Sequence, residues 1–277
     1  MMRFYVVMIA ALLFAGKNAH GDEKVLEGRG NSVLRLGAWD GKAAGWSKVS
    51  YSNGQHEFDV YGVVAADANS EALSPDKSKV FVQRVEFGEV TDQDGVTLNT
   101  ENQYCDLLSM DTGCVMLSRP AEFCSGSWSG SVWRTEEGDS IKLGLETESP
   151  RELLKTIAKL KTNENRMRFI ERAMYMGVES YLACYPPSDD PSGVNDIGFY
   201  LAEGGGDKNA LLLFRSVESV APDRIVLKVN IADSLWSVGR KAEAYRYYTM
   251  YREAMKNAGK SNAIPARVLG RLEEKQE

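Results

Sequence analysis

The residues whose chemistry is most constrained by their placement are four cysteines, Cys105, Cys114, Cys124 and Cys184. They contain no tight C-x-x-C pair, and His56 is the only histidine beyond residue 21, so a thiolate–imidazole zinc site is not expected. Disulfide pairing is the expected chemistry. Three of the cysteines sit in the first half of the chain and Cys184 stands alone in the second, so any scheme that uses all four must join Cys184 to the first group. Three partners are open to it, and each would tie the two halves together covalently.

Other reactive groups fall short of a catalytic constellation. A nucleophile–histidine pair would have to use His56, which precedes Glu57 in a run that reads as a strand, and no G-x-S-x-G elbow accompanies it. Asp189 and Asp190 form a carboxylate pair, but they lie in Pro186-Pro187-Ser188-Asp189-Asp190-Pro191, a linker composition that does not hold catalytic geometry. Gly204-Gly205-Gly206 lacks the following Lys-Ser or Lys-Thr of a phosphate cradle. Asp92, Asp94, Gly95 and Glu101 have part of a calcium-loop spacing, yet the first ligand position is Val90, so a hairpin tip is expected. No catalytic residue, metal or cofactor is therefore assigned.

Trp39, Trp46, Trp128 and Trp133 are dense for one small region, and Ser127-Trp128-Ser129-Gly130-Ser131-Val132-Trp133 has the composition of an exposed loop. Exposed indole faces stack on sugars or on a partner's side chains. A carbohydrate- or peptidoglycan-binding protein, or a hydrolase, centred on this region is the alternative function.

Two kinds of element must position these residues. From Val33 to Leu145 short alternating or β-branched runs are separated by turn signals, which predicts an all-β region built as a sandwich or a curled meander. Expected strands are 48–51, 57–64, 79–90, 95–98, 104–109, 114–117, 131–134 and 141–145, with hairpin turns at Asp94-Gly95 and Asp111-Thr112-Gly113. From Ser149 onward the pattern is helical. Ser149-Pro150-Arg151-Glu152 reads as a capped helix start, and a second helix is expected over 165–184 with Phe169, Ala173, Met176 and Tyr181 inward. Ala263-Ile264-Pro265 should open a final charged helix that serves as a solvated cap. The fold class is thus α+β, with a β domain over 22–148 and an α-helical domain over 149–277.

Within the helical part, Ile197, Gly198, Leu201, Gly205, Ala210 and Phe214 are answered 34 residues later by Ile231, Ala232, Leu235, Gly239, Ala244 and Tyr248. Small residues at two of these positions allow close helix approach, the aromatics fill space between hairpins, and Pro222 marks the joint. Over about 191–258 this pattern resembles the tetratricopeptide repeat, a helix–turn–helix unit of 34 residues. Val194 and Lys228 replace the large aromatic of that pattern, and Lys256 stands in place of its second proline.

The resemblance implies a protein-binding module whose inner wall is lined by the first helix of each unit. Carried over, that wall offers Asn195, Phe199 and Glu203, then Val229, Asp233 and Trp236. Such a mixture of apolar and acidic groups suits a partner segment with an aliphatic anchor and a Lys or Arg.

The chain opens Met1-Met2-Arg3, continues apolar from Phe4 to Ala15 and ends this stretch in small residues up to Gly21, as a secretory signal peptide over 1–21 would. The formal charge is −6 over 277 residues, and −8 beyond residue 21, since Arg3 and Lys17 fall in the leader and no acid does. An acidic balance of this kind argues against nucleic acid as a partner. Thirteen asparagines form no Asn-x-Ser/Thr sequon, which leans towards a bacterial envelope. The expected protein is periplasmic or secreted, not stably inserted in a membrane after cleavage. Its expected partner is another protein, and the expected role is an inhibitor or immunity-type protein neutralising a toxin or enzyme, or an envelope adaptor.

Overall fold

The structure, a computed structural model, describes residues 23–60, 62–65, 70–91, 95 and 97–274. The expected leader, and Asp92 and Asp94 of the carboxylate loop, lie outside the described residues.

The front half is an antiparallel sheet of β1 (Glu23–Glu27), β2 (Val33–Asp40), β3 (Gly45–Ser52), β4 (Glu57–Val60), β5 (Val63–Ala65), β6 (Lys79–Thr91), β7 (Thr97–Ser109) and β8 (Val115–Pro120). The order is β1-β2-β3-β5-β6-β7-β8, with β4 also paired to β3, so neighbours in sequence are neighbours in space and the arrangement is a meander. Period-two alternation sends Leu34, Leu36, Val49, Tyr51, Val80, Val82 and Leu108 to one face, where they form one core. On the other face Phe81, Leu107 and Leu117 pack with Trp133. A small sheet of β9 (Gly126–Ser129), β10 (Val132–Thr135) and β11 (Ser140–Ile141), ordered β11-β10-β9, supplies that cover. Burial on both faces explains why Val80-Phe81-Val82 and Leu107-Leu108 read as continuous apolar runs rather than alternation.

Several expected boundaries shift for identifiable reasons. The run 57–64 divides into β4 and β5 because Gly62 takes φ +116°, which a strand cannot hold. The two runs 95–98 and 104–109 are one strand, β7, because the polar residues between them pair against β6. Of 141–145 only Ile141 pairs, at the end of β11, and β1, β2 and β9 were not among the expected strands.

The back half holds α1 (Pro150–Ile157), α2 (Asn163–Ala173), α3 (Val178–Cys184), α4 (Pro191–Glu203), α5 (Asp207–Val220), α6 (Ile225–Ser237), α7 (Lys241–Asn257) and α8 (Ala266–Glu273). Ser149 and Glu152 form the reciprocal cap of α1. The expected helix 165–184 is broken between α2 and α3, where Gly177 takes φ +101° and Met176 leaves the helical core to join the β-sheet core. The last helix is not merely a solvated cap: Val268 and Leu272 are buried in the helical core.

α4 and α6 begin 34 residues apart, as do α5 and α7. Ile197 and Ile231, Leu201 and Leu235, Ala210 and Ala244, and Phe214 and Tyr248 are all buried in one cluster. Gly205 and Gly239 close the two turns with φ of +95° and +81°. Antiparallel helices α4 with α5 and α6 with α7 are therefore two copies of one local solution.

The halves are stitched together at one seam. Cys184 of α3 pairs with Cys114 beside β8, and Cys105 pairs with Cys124 within the front half. Ser180 Oγ accepts from Val115 N at 3.1 Å and donates to Gly113 O at 2.9 Å. Tyr181 and Tyr185 hydroxyls donate to Glu148 O and Thr147 O on the connecting segment.

Candidate functional site

The six residues carried onto the inner wall separate into three groups. Asn195 is 2% exposed and Val229 is also buried, so neither reaches a partner. Asn195 instead accepts from Asn230 Nδ2 at 3.1 Å and donates to Asp196, which fixes the register of α4 against α6. A polar pair can be enclosed between two helices at little cost only when both amides find partners. Phe199 and Glu203 stay at the surface; Phe199 meets Tyr200 at 5.5 Å between ring centroids and Glu203 accepts from Asn163.

Asp233 and Trp236 form the third group; α8 covers Asp233 and flanks Trp236, which stays partly exposed. Asp233 accepts from Arg267 Nη2 at 2.8 Å, Arg271 Nη1 at 2.6 Å and Tyr248 Oη at 2.6 Å. The hydrogen bond to Asp233 raises the Arg267 guanidinium, while burial, reinforced by Asp233, raises the Tyr248 phenol. The acidic charge expected to attract a basic anchor is thus already neutralised within the chain. Above it, Lys241 and Arg271 lie 4.8 and 5.1 Å from the Trp236 ring centroid. Trp236, Lys241, Ala242, Tyr245, Arg271 and Glu274 line a cavity of about 280 Å³. Its walls combine aromatic surface with two cations, Lys241 and Arg271, against one carboxylate, Glu274, a lining of net positive charge that suits an apolar side chain next to an acidic group.

The other sequence candidates take structural places. Trp133 is buried against Phe81 at 4.4 Å and Trp128 at 5.3 Å, and the indole N–H groups of Trp133 and Trp128 donate to Phe123 O and Ala72 O. Trp46 is buried beside Trp39 at 5.3 Å. These rings engage one another rather than forming an open platform. Asp190 caps α4 by accepting from Gly193 N at 2.8 Å, and Gly204-Gly205-Gly206 is the turn between α4 and α5. Among the described residues no group of three or more His, Cys, Asp and Glu side chains is arranged to hold a metal.

One buried cluster escaped the sequence reading. Arg84 on β6, with a side chain 3% exposed, donates through Nε to Asp106 Oδ2 on β7 at 2.6 Å and also pairs with Glu86. Its guanidinium lies between Tyr104 and Tyr175, 4.5 and 4.6 Å from their ring centroids. Burial pushes the Asp106 carboxyl up against the pull of Arg84; for Arg84, burial opposes the charge, and Asp106 together with Glu86 and Tyr175 more than offsets it. Burial likewise raises the Tyr175 phenol. Because Tyr175 belongs to the α2–α3 break, the cluster clasps the back half to the sheet. A charge at 84 and another at 106, both inside apolar runs, were the available signal.

No protein-family model matches this chain, and no curated protein matches it. No helix among the described residues is long and apolar enough to cross a membrane, and the two disulfides fit an extracellular or periplasmic protein.

Proposed function

We propose that this is an exported protein-binding module whose back half is a tetratricopeptide-like pair of hairpins. The observation that carries this reading is the recurrence of both helices and both turns at a spacing of 34 residues, with equivalent residues buried at equivalent places. The partner segment docks at the Trp236 cavity, with an apolar side chain on the indole and an acidic group between Lys241 and Arg271. This differs from the basic anchor expected of the bare wall, because Arg267 and Arg271 already occupy Asp233. A compact acidic protein without an assembled catalytic centre among its described residues suits stoichiometric inhibition of an envelope toxin or enzyme, or an adaptor role in the envelope.

The test replaces Tyr245 with a photo-crosslinking phenylalanine and irradiates the protein in bacterial envelope extract. A discrete crosslinked polypeptide is expected, competed by unlabelled wild-type protein at least 10-fold better than by Trp236→Ala/Lys241→Glu, as loss of a central aromatic anchor implies. Asp233 is left intact, since changing it would undock α8. Equal competition by a variant with unchanged thermal melting would remove the cavity from the proposal.

A further inference from the structure

The longest strands, β6 and β7, run beyond the sheet. β5 pairs with β6 only at Arg84 and Val85, and β8 pairs with β7 only from Tyr104 onward. From Glu86↔Asn102 to Thr91↔Thr97 the two strands pair with each other alone among the described residues, an arm about 20 Å long at the usual rise per residue. On the β7 side, β8 turns away after Pro120 into a turn held by the Cys105–Cys124 bridge, and every residue from 97 to 103 except Thr100 is exposed. From Leu98 to Gln103 that leaves a strand edge with no second strand beside it among the described residues, the template on which an extended chain adds.

The pleat sorts the arm's side chains. Phe87, Glu89 and Glu101 share one face, while Leu98 stands on the other. Phe87 and Leu98 are 54% and 56% exposed, the most of any exposed large apolar side chain among the described residues. The segment from 85 to 118 contains no Lys or Arg. A cavity of about 410 Å³ lies against Phe87 and Thr100, and across it Asp40 and Lys42 offset each other.

We infer that the β7 edge of this arm is a second docking surface, and that its occupant is an extended segment of another polypeptide alternating basic and apolar residues. Added beside β7, such a strand sets its Lys or Arg side chains against Glu101 of the adjacent strand, with Glu89 one strand further in adding to the acidic field on that face, and its apolar side chains against Leu98. A second copy of this chain is disfavoured, because two such arms would bring like charges together. This surface is separate from the Trp236 cavity and does not depend on it.

The probe is a fluorescein-labelled peptide in which lysine and valine alternate through four repeats, read by anisotropy against the full chain. The control is a block peptide of the same composition, with its four lysines first and its four valines after them. The alternating peptide should bind at least 10-fold more tightly than the block, weaken with added salt, and lose at least 10-fold when alternate backbone nitrogens are methylated. Glu89→Lys/Glu101→Lys should cause a similar loss, whereas Trp236→Ala should leave binding unchanged and so keeps this test apart from that of the cavity. Equal binding of the two peptides, or indifference to N-methylation on the wild-type protein, overturns the proposal. So does a dimer by light scattering that Leu98→Asp dissolves, which would make the occupant a second copy.

Discussion

The two halves of this molecule are held together by different physics. The helical half has one apolar cluster running from Leu153 to Leu272, assembled from hairpins that each pack on the next. The sheet half has two smaller clusters on opposite faces of β6 and β7, and at the edge of one of them a charge pair is sealed among tyrosines. Apolar packing is spread over many side chains, so no single change removes much of it. A sealed charge concentrates the vulnerability, because its desolvation is tolerable only while its partner remains.

The sharpest way to break that contrast is Asp106→Ala. It would leave the Arg84 guanidinium enclosed with only the half-exposed Glu86 as counter-charge. The expected cost is about 3–5 kcal/mol, by urea denaturation, as for other buried pairs that lose one member. Arg84→Met/Asp106→Leu should recover most of it by removing both charges at once. If Asp106→Ala shifts the midpoint no more than an ordinary surface change, the pair is hydrated and the sheet half is not special.

The second test concerns the seam. Cys114–Cys184 closes 70 residues and Cys105–Cys124 closes 19. Loop-closure entropy then gives about 4 kcal/mol for the first and about 3 kcal/mol for the second. The more informative outcome is qualitative. Near-ultraviolet dichroism follows the tryptophan-rich sheet half and the far-ultraviolet helical signal follows the back half, so thermal unfolding of each half is visible separately. The two signals should coincide in the wild type, stay coincident in Cys105→Ser/Cys124→Ser, and separate in Cys114→Ser/Cys184→Ser. Coincidence in both variants would mean that Ser180 and the Arg84–Tyr175 clasp couple the halves without the bridge.

The same contrast decides what could be read from the chain beforehand. A repeated helical hairpin shows in residues three and four apart within each helix and again 34 residues on in the next hairpin, so its glycines, alanines and aromatics announce it; Ser149 and Glu152 announce the start of α1 in the same local way. Cysteine arithmetic placed Cys184 across the seam without choosing Cys114, since pairing depends on contacts between residues 70 apart. The joining of 95–98 with 104–109 depends on β6 across the hairpin, and the break at Gly177 on the sheet core that takes up Met176. The wall was the least legible. Its residues were placed on the correct helices, but the covering of Asp233 depends on Arg267 and Arg271, 34 and 38 residues further on.

The smallest expected effect probes how alike the two hairpins are. An added methyl at Gly198 would meet the Phe214 ring edge at 2.6 Å, closer than a carbon contact allows. Ala232, at the equivalent place in the second hairpin, already carries that methyl and is buried. Gly198→Ala gains up to about 1 kcal/mol of helix propensity and loses about 1–3 kcal/mol to overpacking. A net loss of about 1 kcal/mol is expected from those two effects, recovered in part by Phe214→Leu, whose smaller side chain leaves room for the methyl. A stabilised Gly198→Ala would show that Phe214 swings aside at little cost. The glycine would then be an unimproved position rather than a requirement of the close approach, and the two hairpins would tolerate the same residues as well as share the same path.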